Sequence, residues 1–213
     1  MKITTFFLCL FISATVMSQN TFGIRSGLFF AKMRYFADDE YLWSSDPINK
    51  LEIGVFTSFK LTKIISFMPE VNYLHKGGAI PDNPNPPKTY YQQIELALPF
   101  NFEYSFDKIA LFGKIGPSYG YMIGGYNEIS SIGRGLIEFK DNSDYVRSDL
   151  GFLAGGGISF LISESGKISL ESRYRRSFIY TRDEELEDFK YSTKNFGWGI
   201  VVGYSTNLFN RSK

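Results

Sequence analysis

Eight stretches of the chain alternate apolar and polar side chains with a period of two residues. Because successive side chains of a β-strand point to opposite faces, this period predicts strands with one apolar face. In the fourth stretch Ile94, Leu96 and Leu98 share one parity, whereas Glu95 and Ala97 share the other. The eight predicted strands are 22–30, 51–61, 67–76, 94–104, 109–126, 148–162, 167–178 and 196–208. No segment shows an amphipathic-helix pattern, so the sequence predicts an all-β fold.

The connectors between the predicted strands alternate between long and short. Tight turns are predicted at 62–65, 105–108 and 163–166, and long connectors at 35–50, 77–92, 127–147 and 179–195. In an up-and-down order of strands, all the long connectors therefore lie at one end of the sheet. Short inner turns and long outer loops are typical of bacterial outer-membrane barrels.

The polar parity of the strands carries charged residues interleaved with glycines. The charged positions, five acids and five bases, are Arg25, Glu52, Lys60, Glu70, Glu95, Glu103, Lys114, Glu171, Arg173 and Arg175. Glycine weakens a solvent-facing strand, but inside a narrow barrel it makes room for a long side chain opposite. We therefore predict an ion network of these ten residues in the lumen, with the apolar face in lipid, because unpaired ions away from water are costly. An ordinary solvated face is the alternative.

The N-terminal segment has the composition of a secretory signal peptide. Lys2 precedes an apolar run over residues 3–17, and Ser18 is a small residue suited to cleavage. The run is shorter than the roughly 20 residues of a spanning helix. We expect residues 1–18 to be removed and residues 19–213 to form one barrel domain. Cys9, the single cysteine, lies in the segment to be removed, so no disulfide is expected.

The overall charge argues against a nucleic-acid partner. Cleavage removes Lys2, one of 23 basic residues, and none of the 22 acidic residues, so the mature chain is nearly neutral. Aromatic residues gather near the predicted strand ends, where they suit the interfacial girdles of a membrane barrel. These residues are Tyr35, Phe36, Tyr73, Tyr90, Tyr91, Tyr104, Phe106, Tyr121, Tyr126, Phe178 and Tyr180. Outer-membrane lipid is therefore the expected surrounding.

Five short motifs occur in order over nearly all of the mature chain. They are FGIRSGL at 22–28, MPEVNY at 68–73 followed by KGG at 76–78, IELALP at 94–99, GKIGP at 113–117 and GGG at 155–157. In these motifs the chain resembles the PorT-like family of outer-membrane β-barrels typical of the Bacteroidota. The resemblance implies an eight-stranded antiparallel up-and-down transmembrane barrel in a Gram-negative outer membrane, with short periplasmic turns and long extracellular loops. It also implies a porin-like or secretion-associated role, and it carries over no catalytic motif.

Motifs that carry chemistry are few. Residues 116–120 match a nucleophile elbow, but they lie inside a predicted strand rather than at a strand-to-helix turn. His75, the single histidine, lies near the outer rim on the lipid side, where a lipid-modifying enzyme would place a general base. The acidic clusters at 38–40 and 183–188 lack the spacing of a calcium loop. We assign no catalytic, cofactor-binding or metal site and expect no enzymatic activity.

The favoured function is that of a non-enzymatic integral barrel with a side-chain-filled lumen, which acts through its loops or through an envelope or secretion-system protein. A lumen of about eight strands has room only for interdigitated side chains, so appreciable conduction is not expected. Three alternatives stay open: a small-solute porin, a soluble lipocalin-like carrier with an inward apolar face, and an outer-membrane lipid-modifying enzyme. Tyr41, Trp43 and the proline-rich segment 81–88 are a candidate contact patch.

Overall fold

The computed structural model describes residues 20–82, 85–129, 133–137, 139, 145–185 and 190–207. The predicted signal peptide lies outside these residues. Every paired strand among them is antiparallel, so the all-β antiparallel prediction is confirmed. In this part of the chain no helix is long and apolar enough to cross a membrane.

The described residues contain thirteen β-strands. These are β1 (Thr21–Ala37), β2 (Glu40–Ser44), β3 (Ile48–Lys60), β4 (Ile65–Phe67), β5 (Glu70–Ala79), β6 (Lys88–Ala97), β7 (Phe100–Phe106), β8 (Ile109–Ile129), β9 (Gly133–Leu136), β10 (Ser148–Leu161), β11 (Gly166–Ser177), β12 (Arg182–Glu185) and β13 (Lys190–Asn207). Each predicted stretch overlaps one long strand or two shorter ones, and several of the strands extend beyond the predicted bounds. The additional strands β2, β9 and β12 lie in the predicted long connectors and extend the sheet there.

The strands form a single sheet. β1 pairs with β13 on one side and with β3 on the other. From β13 the pairings continue through β11, β10, β8, β6 and β5, and β5 in turn pairs with β3. Shorter strands β4 and β7 pair with each other and with β3 and β8 respectively.

The gaps between β4 and β5 and between β6 and β7 do not change the pairing register. Against β3, Phe59 lies opposite Phe67 of β4, and three residues further along Phe56 lies opposite Glu70 of β5. Against β8, the same continuity holds for β6 and β7. Strands β4 and β5 therefore follow the path of one continuous strand, and so do β6 and β7.

Pro69 and Pro99 lie in these gaps, and Pro117 lies within β8. The carbonyl oxygens of Pro69, Pro99 and Pro117 accept hydrogen bonds from the backbone N–H groups of residues 57, 68 and 98 at 3.1, 2.9 and 3.0 Å. A proline has no N–H to donate in return, so each one removes a single bond from the ladder. The pairing register continues past all three prolines, because the register shifts among the described pairings lie at Tyr35/Phe36 and at Gln92/Gln93.

The apolar parity faces outward and the polar parity faces inward. Trp198 is 58% exposed and Leu96 is 44% exposed, whereas Glu95 and Arg173 are fully buried. This orientation is opposite to that of a soluble lipocalin-like carrier, whose apolar face would line the interior. The outward apolar surface is the feature expected of a sheet that stands in lipid.

Short connectors lie at one end of the sheet, which we call the short-turn end; the opposite end is the long-loop end. In the first short turn the Thr62 hydroxyl accepts hydrogen bonds from the backbone N–H groups of Ile64 and Ile65 at 3.3 and 3.0 Å. In the third, the Ser163 hydroxyl accepts from the Gly166 N–H at 2.8 Å. Hydroxyl side chains that bond to the backbone in this way favour tight turns.

Candidate functional site

The middle of the sheet interior holds a cluster of ten charged side chains, which we call the ion network. Its members, five acids and five bases, are Arg25, Glu52, Glu70, Lys76, Glu95, Lys114, Asp149, Glu171, Arg173 and Arg175. No side chain of the network is more than 5% exposed. The formal charges balance, which is the condition under which buried ions are tolerable.

Two arginines of β11 hold Glu52 of β3. Arg173 Nη1 donates to Glu52 Oε1 at 2.6 Å. Arg175 donates to both oxygens of the same carboxylate, from Nη2 at 2.6 Å and from Nη1 at 3.0 Å. This fork-to-carboxylate geometry is the strongest form of protein ion pair. Residues more than 100 positions apart in the sequence are thereby joined across the interior.

A second part of the ion network surrounds Glu70 and Glu171. Lys114 Nζ lies 2.6 Å from Glu70 Oε1 and 2.8 Å from Glu171 Oε1. Arg25 Nη1 contacts the same two carboxylates at 3.0 and 3.3 Å. Arg173 links both parts, because it donates to Glu171 at 3.0 and 3.1 Å as well as to Glu52. The network is therefore continuous rather than a set of isolated pairs.

A third part was missed by sequence reasoning. Lys76 Nζ lies 2.7 Å from Asp149 Oδ2 and 3.8 Å from Glu95 Oε2. Arg175 Nε donates to Glu95 Oε1 at 2.8 Å and joins this pair to the rest. Lys76 shares the parity of Glu70, and Asp149 shares that of Gly151. The alternation therefore already indicated an inward direction for both side chains. Both residues lie at the end of a predicted strand, where a pattern of alternation is shortest.

Two of the ten predicted network residues lie elsewhere. Lys60 is exposed, and Glu103 is half-buried and pairs with Lys167 at 2.7 Å. Both lie at the short-turn end, where they line the mouth of a cavity. Alternation identifies the face of a strand but not the height of a residue along it, which is why sequence reasoning placed these two in the buried group.

Glycines leave the space that the ion network occupies. A Cβ atom added at Gly155 would lie 2.7 Å from Glu171 Oε1, and one added at Gly199 would lie 3.3 Å from Glu52 Oε2. A Cβ at Gly54 would overlap the side-chain amide of Asn72. The pairing of long charged side chains with glycines on facing strands is thus a requirement of packing in a narrow interior.

Above the ion network, toward the long-loop end, the interior contains two apolar clusters. One cluster contains Phe29, Ala31, Ile48, Leu74, Ala79 and Tyr90, and a second contains Met33, Tyr35, Tyr91, Met122 and Ile137. Trp43 of β2 stacks on Tyr35 with ring centroids 3.8 Å apart. We call these two clusters the aromatic cap.

The aromatic cap corrects the predicted interfacial girdle. Tyr35, Tyr90 and Tyr91 are buried in the cap and do not face the exterior. Tyr104 and Phe178 are exposed on the outer surface, as the girdle prediction requires. Tyr35 shares the parity of Arg25, so the alternation already indicated an inward direction for this residue.

Below the ion network a cavity of about 380 Å³ lies at the short-turn end. Arg25 and Glu171 of the network line it, together with Phe56. Serine, threonine and asparagine side chains make up much of the remaining wall. We call this cavity the vestibule. A smaller cavity of about 240 Å³ lies at the long-loop end beside Trp43 and Arg182.

The remaining candidate residues are dispersed. His75 is partly buried and packs edge-on against Tyr73, with ring centroids 5.4 Å apart. Ser118 of the elbow-like motif lies within β8 and not at a strand-to-helix turn. Among the described residues no group of three or more His, Cys, Asp or Glu is arranged to hold a metal ion. Residues 186–188 of the second acidic cluster lie outside that part of the chain.

An outward apolar surface and an inward charged surface, on an antiparallel sheet with long loops at one end, are the features of an outer-membrane barrel. A sequence profile described as "Outer membrane protein beta-barrel domain" matches residues 17–181. The chain belongs to this family. Membership in the outer membrane protein beta-barrel domain family indicates the outer membrane of a Gram-negative bacterium as the location of the protein.

Solved outer-membrane structures are similar to this chain, and the likeness to OprG shows the fold. OprG, an outer membrane protein of Pseudomonas aeruginosa, is 11% identical, with a TM-score of 0.53 over 89% of this chain and 97% of OprG. The N-terminal β-barrel domain of OprF from the same organism is 13% identical (TM-score 0.43; 89% of this chain, 99% of the domain). The outer membrane protease OmpT of Escherichia coli is 10% identical (TM-score 0.40; 91% of this chain, 98% of OmpT). No curated protein matches the chain in sequence.

Proposed function

We propose that the protein is a closed, eight-stranded, non-enzymatic outer-membrane barrel whose interior is blocked by its own side chains and whose activity resides at its two ends. The observation that carries the proposal is the charge-balanced ion network, which joins β1, β3, β5, β6, β8, β10 and β11 across the interior. A pore of this width requires its lumen to be free of such side chains.

Two features of the pairing support closure with eight strands. The sequence of neighbours that begins at β1 and passes through β13, β11, β10, β8, β6, β5 and β3 leads back to β1. The unbroken register across β4/β5 and across β6/β7 makes each pair one strand of the barrel. With these merged and the short strands β2, β9 and β12 set aside as extensions, eight strands remain.

The order of the ion network and the aromatic cap along the interior supports a barrel that does not conduct. A solute that entered from the short-turn end would meet the ion network, and one that entered from the long-loop end would meet the aromatic cap. In the network Arg173 and Glu52 are fully buried, so the described side chains leave no wetted path beside them. An ion would have to displace charge-assisted hydrogen bonds of 2.6 to 3.4 Å in order to pass.

The ends of the barrel are then the working surfaces. At the long-loop end Tyr41 and Leu42 of β2 and Leu136 of β9 are exposed. Apolar side chains on a surface outside lipid are a feature of contact sites. The motif order in the sequence supports a PorT-like, secretion-associated member of the family, with a signal peptide removed after Ser18 and an envelope protein as partner.

Planar-bilayer recording tests the blocked lumen. Purified protein refolded into bilayers is expected to give no steady single-channel current. Glu52→Gln combined with Arg175→Met is expected to give measurable current, because the double change removes one charge-assisted fork and keeps the interior neutral. Large and steady currents from the unaltered protein would refute the blocked lumen and favour a small-solute porin.

Site-specific photo-crosslinking in native membranes tests the working ends. A photoreactive residue in place of Tyr41 reports on the long-loop end, and one in place of Lys108 reports on the short-turn end. A discrete adduct at Tyr41 alone supports a surface-binding role, and one at Lys108 alone supports a periplasmic partner. The absence of adducts at both positions contradicts action through a protein partner.

A further inference from the structure

The vestibule has the dimensions of a ligand site. Its volume of about 380 Å³ lies within the range of roughly 300 to 1,000 Å³ that is usual for small-molecule sites. The floor is formed by the guanidinium of Arg25, which lies over the ring of Phe56 at 4.0 Å from its centroid. The charged partners of Arg25 in the ion network hold it in place. A solute that reaches this floor therefore meets the fixed guanidinium of Arg25, the carboxylate of Glu171 and an apolar ring.

The wall of the vestibule is rich in hydrogen-bonding groups. Asn101 and Ser159 line it and are each 2% exposed. Neither Asn101 Oδ1 nor Ser159 Oγ has a hydrogen-bond partner among the described residues. Arg25 Nε at the floor also has no hydrogen-bond partner among the described residues. Buried polar atoms in proteins are nearly always paired, so these three atoms are candidates to bond to a solute in the vestibule.

The mouth of the vestibule is positively charged. Four lysines line it, Lys60, Lys63, Lys108 and Lys167, against the two acids Glu103 and Asp107. The pair of Lys167 with Glu103 at 2.7 Å neutralises one acid locally. Positive charge at the entrance of a low-dielectric recess raises the local concentration of anions.

We propose that the vestibule binds a small hydroxylated anion, a sugar phosphate or a sugar acid, that enters from the short-turn end. The lysines of the mouth attract its charge, and the amide and hydroxyls of the wall bond to its hydroxyl groups. Because the ion network closes the cavity above, the solute leaves by the way it entered, and the site is a receptor rather than part of a channel. This proposal goes beyond the function stated above and rests on its blocked lumen.

Isothermal titration calorimetry on the refolded protein in nanodiscs of phosphatidylcholine tests this site. The probes are glucose 6-phosphate, glucose and inorganic phosphate. We expect glucose 6-phosphate to bind at one saturable site at least about tenfold more tightly than either other probe. An equal affinity for glucose would overturn the role of the charged mouth, and an absence of saturable binding by all three would overturn the site.

Paired variants locate the binding. Ser159→Leu fills the wall and is expected to weaken binding by about tenfold or more, whereas Ser177→Leu, which is also buried but does not line the vestibule, keeps it. Lys108→Ala at the mouth weakens binding severalfold, and Lys88→Ala at the opposite end is the charge-matched control. An equal loss of affinity in both members of either pair would overturn the assignment of binding to the vestibule.

Two further measurements separate the possible sources of failure. Both kinds of nanodisc are compared at the same high salt concentration. An affinity for glucose 6-phosphate about tenfold weaker in phosphatidylglycerol than in phosphatidylcholine would assign the vestibule to lipid headgroups and overturn a soluble ligand. Unchanged affinity there supports the proposal. Bilayer recording of the same preparation tests the blocked lumen by itself, so that a conducting barrel is recognised independently of any binding result.

Discussion

Replacement of Arg173 by methionine is the most direct test of the ion network. The guanidinium of Arg173 donates to Glu52 at 2.6 Å, to Glu171 at 3.0 and 3.1 Å and to Glu70 at 3.4 Å. Methionine fills much of the same volume without charge. Arg173→Met therefore leaves three buried carboxylates with one cation fewer and gives the interior a net negative charge.

The expected loss of unfolding free energy follows from those contacts. Removal of one partner from a buried ion pair costs about 3 to 5 kcal/mol. Each of the three carboxylates keeps another cation: Arg175 contacts Glu52, and Lys114 contacts both Glu70 and Glu171. We therefore expect a value near the lower limit, about 3 kcal/mol.

Urea unfolding from lipid vesicles, followed by tryptophan fluorescence, measures this loss. Arg176→Met is the matched control, because Arg176 lies on the same strand but is exposed on the opposite face. Its expected effect is below about 1 kcal/mol. Adding Glu171→Gln to Arg173→Met makes the interior neutral again. The double variant is expected to recover about 1 kcal/mol or more of the lost unfolding free energy. Equal effects of Arg173→Met and Arg176→Met would refute the reasoning.

Three other predictions concern packing, lipid contact and catalysis. Gly157→Val places a side chain against the backbone of β11 and is expected to lower stability by roughly 1 to 3 kcal/mol in the urea assay, whereas Gly135→Val, with no described atom within 4 Å of an added Cβ, is tolerated. Trp198 is expected to be strongly quenched by lipids brominated on their acyl chains in a Trp43→Phe background; weak quenching would place it outside the bilayer. His75→Ala is expected to leave lipid A unchanged by mass spectrometry, and an altered lipid A profile would support an enzyme.

The period of two residues was sufficient to predict the faces of the strands. It placed Glu95 inside and Leu96 outside, because alternation in a strand is fixed by backbone geometry alone. It did not predict the depth of a residue, so Lys60 and Glu103 were grouped with residues that lie much deeper. Depth depends on the stagger of one strand against the next, which only the pairing reveals.

The strand ends were predicted less well than the strand centres. β2 and β9 were missed because most of their residues are exposed, so no alternation marks them. Lys76 and Asp149 were missed because they lie where the alternation of β5 and β10 begins or ends. The vestibule combines side chains from several turns and strands, and no local pattern in the sequence predicts such a convergence.

The position of β11 in the sequence has a consequence for biogenesis. The ion partners of Glu52 within the described residues are Arg173 and Arg175, both on β11 and more than 100 residues downstream. A nascent polypeptide therefore carries this carboxylate unneutralised until its penultimate long strand arrives. Insertion of the N-terminal hairpins into a bilayer ahead of β11 would desolvate a lone anion, and this cost favours assembly in which the last strands dock before the membrane closes around the first.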